Sequence, residues 1–95
     1  MSAYIIVDIH ITDPHAYDGY KRDAAPTVGM YDGRYIVRGG KVQVLEGNPD
    51  PERVVVLEFP DRDRALAWWN SPEYAPFKKV RHAAARSTML LVEGV

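Results

Sequence analysis

The sequence predicts an α+β fold in which helices cover one face of an antiparallel sheet and leave the other face open. Three patterns carry that expectation: a period-two run from Ala3 to Ile11, a run from Arg53 to Phe59 apolar enough for a central strand, and two helical stripes opened by the capping residues Asp13 and Asp61. The 95 residues fit a single domain, 1–95. A chain this small buries only roughly 60 to 65% of the surface its unfolded form exposes, so self-association would add useful burial.

The first strand alternates Ile5, Val7, Ile9 and Ile11 with Tyr4, Ile6, Asp8 and His10, giving one oily and one mixed face. Thr12-Asp13-Pro14 then opens a helix, with Asp13 as cap, Pro14 in the first turn, and Tyr17, Tyr20, Ala24, Val28 and Tyr31 at spacings of three and four. Pro26 lacks a backbone donor and is expected to kink or interrupt this helix. Asp32-Gly33 ends it. Arg34 to Arg38 and Lys41 to Glu46 read as two short strands of a hairpin turning at Gly39-Gly40, and Asn48-Pro49-Asp50-Pro51 as a turn.

After the central strand, Asp61 caps a helix expected to turn Leu66 and Trp69 inward, and Ser71-Pro72 caps a restart that splits it in two. Tyr74, Phe77, Val80, Arg81 and Ala84 continue as a second stripe, and Thr88 to Glu93 closes the chain as a strand. This order matches a ferredoxin-like α+β sandwich with an antiparallel sheet and helices on one face.

Composition narrows the function classes. Twelve basic and thirteen acidic side chains give a formal net charge of −1, which supplies no electrostatic footprint for nucleic acid or an anionic membrane. The absence of cysteine removes disulfides, thiolate catalysis and cysteine-ligated metal, and suits a reducing, cytoplasmic compartment. No apolar run approaches the roughly 20 residues of a membrane span, and the start of the chain has no basic leader. The serines and threonines lack a nucleophile-elbow context, and no glycine spacing fits a phosphate loop.

Asp13-Pro14 with Tyr17 and Tyr20, the segment GRYIVRGG from Gly33 to Gly40, Leu45-Glu46-Gly47, Glu58-Phe59-Pro60, the stretch Trp69-Asn70-Ser71-Pro72-Glu73-Tyr74 and Val92-Glu93-Gly94 together carry a family likeness. The chain resembles the small bacterial proteins of domain-of-unknown-function family 1330, within the dimeric α+β barrel superfamily. The resemblance implies a homodimer whose sheets meet through their open faces, in a superfamily holding both cofactor-free enzymes and proteins of no known activity. It carries over no catalytic residue.

Strand arithmetic puts Asp8 and His10 on the mixed face, Arg34 and Arg38 together on one hairpin face, and Glu58 beside Val54 and Val56. If these faces coincide, Asp8, Arg38 and Glu58 converge on a site able to hold a carboxylate or tune a general base. The plainer alternative is an ion-pair network that sets dimer register. Trp68, Trp69, Tyr17, Tyr20, Tyr31 and Tyr74 lie on the covering helices. Core packing accounts for most of them, but two adjacent tryptophans point about 100° apart and cannot both face one core. His10, His15 and His82 show no metal-ligand spacing. His82 draws attention because haem-degrading members of the same superfamily carry a tryptophan and a histidine on the corresponding helix, but the helix break between it and Trp69 argues against haem.

The expected function is a small cytoplasmic homodimer binding a small anionic or aromatic metabolite through Asp8, Tyr17, Arg38, Trp69 and His82, with no cofactor, metal, nucleic-acid or membrane partner. The alternative is a cofactor-independent enzyme of the monooxygenase or isomerase type, with His10, Arg38 and Glu58 as catalytic candidates. The dimer expectation rests on an apolar open face assigned to Tyr4, Ile6, Val54, Val56 and Leu91.

Overall fold

In the computed structural model, which describes residues 1–95, strand β1 (Ala3–Ile11) leads into helix α1 (Pro14–Met30) and a short strand β2 (Arg34–Arg38). Strand β3 (Arg53–Phe59), helices α2 (Arg62–Trp69) and α3 (Ala75–Ala84), and strand β4 (Ala85–Glu93) follow. The sheet order is β2-β3-β1-β4 with every pair antiparallel, which is the ferredoxin-like arrangement.

Local chemistry sets the helix starts. Asp13 is extended and its side chain accepts from the Ala16 N–H at 3.1 Å, while Asp61 does the same for the Arg64 N–H at 2.8 Å. Ser71 joins α2 to α3: its hydroxyl donates to the Trp68 carbonyl at 2.7 Å and accepts from the Tyr74 N–H at 3.1 Å. Helix α1 runs through Pro26 without interruption. Tertiary packing on both sides of the proline supplies what the missing donor removes, since Ala24, Thr27 and Val28 around it are all buried.

The core lies between the helices and one sheet face. Ala3, Ile5, Val7 and Ile9 of β1 and Val55, Leu57 and Phe59 of β3 meet Tyr17, Ala24 and Val28 of α1 and Ala65 and Trp68 of α2. The buried Trp68 indole donates to the Thr27 hydroxyl at 3.0 Å, which donates to the Ala24 carbonyl at 2.7 Å, so no polar atom is stranded there. The innermost α2 residues are therefore Ala65 and Trp68 rather than Leu66 and Trp69, which sit half-buried beside them. Val80, expected inward, is exposed, and Arg81 takes the buried position.

Three further expectations change. Lys41–Glu46 forms no strand and is exposed throughout, because the turn at Gly39 (φ 74°) donates its N–H to the Val54 carbonyl and keeps the chain beside β3 instead of reversing it onto β2. A side chain at Gly39 would also strike the Arg53 guanidinium. Leu91 pairs with Ile5 and so faces the helices, leaving Leu90 and Val92 on the open face. Lastly, β2 slips register against β3 between Tyr35 and Val37. That bulge turns Arg34 and Arg38 to opposite faces.

Candidate functional site

Two contiguous clefts open between α2, α3 and the helix-facing side of β4. One, of about 250 Å³, is wholly apolar and lined by Ile5, Ala65, Leu66, Trp69, Met89 and Leu91. The other, of about 440 Å³, is lined by Trp69, Arg81, His82, Ala85, Ser87 and Met89. Trp69 and Met89 belong to both, so an apolar recess runs into a polar mouth. The larger cleft is of the size that small-molecule sites occupy, about 300 to 1,000 Å³, and the smaller recess adjoins it.

Arg81 dominates the polar end. Its Nε donates to the Tyr74 hydroxyl at 3.2 Å, one terminal nitrogen donates to the Ser87 hydroxyl, and the other lies 3.3 Å from the His82 ring. The side chain is 3% exposed, and none of these partners is a carboxylate. A guanidinium buried with no counter-charge is costly to the fold and attractive to an anion. Lys78 adds to the field, its ammonium 3.8 Å above the Trp69 ring. Partial burial and then Arg81 hold the Lys78 pKa below its ordinary value. The His82 pKa is lowered by desolvation first and by Arg81 and Lys78 after it, so the imidazole is neutral at pH 7. Behind Arg81, the Tyr74 hydroxyl meets that of Tyr20 at 2.8 Å, and the Tyr20 phenol pKa is raised, chiefly by burial.

The expected site residues fall into three groups. Trp69 and His82 come together in the cleft just described. Tyr17 and Arg38 line a separate cavity of about 30 Å³ between α1 and the sheet, room for a single water. Arg53 and Lys21 share it, Arg38 donates to the Lys21 carbonyl at 3.1 Å, and burial raises the Tyr17 phenol pKa against the opposing pull of Arg53. Asp8, His10 and Glu58 lie on the open face. There His10 sits 3.5 Å from Asp8 and 3.3 Å from Glu52, and one buried Asp8 oxygen has no partner.

The convergence of Asp8, Arg38 and Glu58 therefore does not occur: the bulge in β2 places Arg38 behind the sheet from the other two. Glu58 instead accepts from Arg34 at 2.7 Å and from the Tyr4 hydroxyl at 3.2 Å, and the Arg34 hydrogen bond lowers its pKa. No group of three or more His, Cys, Asp or Glu side chains is placed to hold a metal ion. No helix is long and apolar enough to cross a membrane.

The family model for the domain of unknown function (DUF1330) matches residues 2–95. The chain belongs to this family. No curated protein matches the chain. Among solved structures, the DUF1330 chain is similar to a protein of unknown function from Rhodopseudomonas palustris, at 19% identity over 99% of this chain and 82% of that one, with a TM-score of 0.81. It is also similar to a dimeric ferredoxin-like protein of unknown function from Jannaschia sp. CCS1, at 16% identity over 99% and 100% of the chains, TM-score 0.69. A third, SnoaB from Streptomyces nogalater, is a cofactor-independent oxygenase, at 14% identity over 99% and 93%, TM-score 0.66. At these identities the likeness is one of fold.

Within this DUF1330 fold, Arg81, Ser87 and Met89 are among the cleft residues that the sequence did not mark as a site, and Lys78 stands over Trp69 beside them. Arg81 had a legible signal, a cation at a core-facing step of the stripe Tyr74, Phe77, Arg81, Ala84. Ser87 and Met89 had none, because they meet Trp69 only through the pairing of β4 beside β1.

Proposed function

We propose that this DUF1330 protein is a small cytoplasmic homodimer that binds a small anionic metabolite with an apolar or aromatic body in the cleft between α2, α3 and β4. The observation that carries the reading is the buried Arg81, which has hydroxyl and imidazole partners but no carboxylate. A ligand carboxylate or enolate supplies the missing charge, Ser87 helps orient it, and Trp69, Met89 and Leu66 receive the apolar body. The dimer is supported by the apolar open face, where Ile6, Val37, Leu90 and Val92 are exposed, and by the dimeric ferredoxin-like neighbour. The absence of cysteine agrees with a reducing compartment.

Fluorescence titration tests this reading, because Trp69 lines the cleft and Trp68 is sealed in the core. A panel of small aromatic and aliphatic carboxylates should contain at least one compound that changes indole emission saturably. Arg81→Gln, which keeps an amide donor and removes the charge, should weaken that affinity at least about tenfold, the loss of one charge-assisted contact. Arg38→Ala should leave it unchanged. An unaltered affinity in Arg81→Gln sinks the proposal.

One observation favours the enzymatic alternative: a neutral His82 lies at 3.3 Å from Arg81 at the mouth of the cleft. Arg81 can only donate, so Nε2 of His82 accepts from it. When a bound anion takes over that guanidinium N–H, the freed nitrogen can accept a proton from the substrate while the guanidinium stabilises the resulting anion. Likeness of fold to a cofactor-independent oxygenase is consistent with this chemistry. Turnover in buffer without added metal or flavin, lost in His82→Gln and kept in His10→Ala and Glu58→Gln, would establish it.

A further inference from the structure

Lys41–Glu46 carries the alternation of a strand, with Val42 and Val44 on one side and Gln43 and Leu45 on the other, yet it has no ladder partner and Leu45 is 89% exposed. At the far end of the sheet, β4 is the terminal strand, so its outward N–H and C=O groups are unpaired, and its open-face residues Leu90 and Val92 are 62% and 45% exposed. The segment follows β2, at the opposite edge, so it reaches a β4 only on another copy of the chain.

We infer that Lys41–Glu46 pairs antiparallel with β4 of the partner subunit, with Val42 facing Val92, Val44 facing Leu90 and Leu45 facing Met89. The inference rests on the homodimer reading above and deepens it. Two complementarities select this register. It joins each exposed valine of the segment to an exposed apolar residue of β4, and it sets Lys41 opposite Glu93 and Glu46 diagonal to Arg86 on the same face. A two-residue slip places Val44 against Thr88 in one direction and runs Val42 onto Gly94 in the other. Parallel pairing in matching phase puts Leu45 on Glu93 and Lys41 on Met89.

The register has a consequence for the site. Met89 floors both clefts, so Leu45 of the partner subunit lies along the edge where the recess opens to solvent. Each cleft is then completed by the other copy, and its apolar end is shielded from water.

The natural chain has no cysteine, so a Val44→Cys, Leu90→Cys double variant reports the pairing without background. Mild oxidation should yield a covalent dimer whose peptide map joins residues 44 and 90. In the control, Leu91→Cys replaces Leu90→Cys; position 91 faces the helices, so cross-linking should not exceed that of Val44→Cys alone. Sedimentation separates the failures. A dimer that does not cross-link, or that cross-links equally in the control, overturns the pairing and leaves the dimer standing; a monomer overturns both. Hydrogen exchange on the unmodified protein gives a second readout should the variants misfold. Alternate amides within residues 42–46, those that point at the partner's β4, should exchange at least about tenfold more slowly than those of Asn48 and Asp50. Equal rates would overturn the pairing.

Discussion

Arg81 concentrates the chemistry of the molecule in one side chain. Burying a guanidinium without a counter-charge costs several kcal/mol after relaxation, roughly, and hydroxyl partners recover only part of it. Arg81→Gln should therefore unfold no more easily than the natural protein, while losing anion binding. A loss of about 3 kcal/mol or more in a denaturant melt would instead mark Arg81 as a structural partner. His82 adds a pH dependence of definite sign. Its pKa is depressed in the folded protein, so the unfolded chain binds more protons below about pH 6.5, and its contribution to stability is present above that pH and lost on acidification. The proposed anion binding should respond in the opposite sense, because a protonated imidazole beside Arg81 attracts an anion. Affinity should rise as pH falls from 7 toward 5.5, and His82→Gln should flatten the profile. If His82 acts as a base, turnover falls over the same interval, which separates binder from catalyst in one titration.

At the scale of elements, the joint between α2 and α3 holds Trp69 and Arg81 in their relative positions. Ser71 is buried there and makes two hydrogen bonds within the joint. Ser71→Ala strands the Tyr74 N–H and should cost about 1 to 2 kcal/mol in a thermal or denaturant melt. Ser71→Thr should recover part of it where space allows. No change in either variant would mean that the Pro72 turn alone sets the joint. The entry to β2 is fixed differently. A Cβ at Gly33 would lie 2.5 Å from the buried Phe59 ring and 2.8 Å from Val28, so Gly33→Ala overpacks the core and should lose about 1 to 3 kcal/mol.

For the molecule as a whole, the 10.7 kDa chain leaves Ile6, Ile36, Val37, Leu90 and Val92 on the surface. A face of that composition is expected to be covered by a second copy. Sedimentation at micromolar concentration should give twice the chain mass, and Leu90→Glu should shift the equilibrium toward monomer by setting a charge in the apolar face. A natural protein that sediments as a well-folded monomer would remove the dimer from the functional picture.

The sequence by itself determined the α+β class, the order of the elements that do form and the caps Asp13 and Asp61, because these depend on interactions within a few residues. Asp13 and Asp61 satisfy N–H groups three positions ahead, and the alternation from Ala3 to Ile11 selects its own buried face. It also showed that Trp68 and Trp69 cannot both face one core, since neighbours on a helix point about 100° apart, but it turned Trp69 inward where packing buries Trp68 and leaves Trp69 to the cleft. Only the tertiary structure decided which side chains meet. A one-residue bulge at Ile36 in β2 sends Arg38 behind the sheet from Asp8 and Glu58, and no local pattern announces it. Gly39 keeps its hydrogen bond to β3, which leaves Lys41–Glu46 without a partner in its own chain despite a strand-like sequence. The cleft was the least legible part, because Arg81, Trp69, Ser87 and Met89 come from three elements whose meeting depends on the pairing of β4 with β1. Contacts within a turn of helix or a strand follow from spacing alone, whereas contacts across a sheet depend on register, and register is set by how the whole core packs.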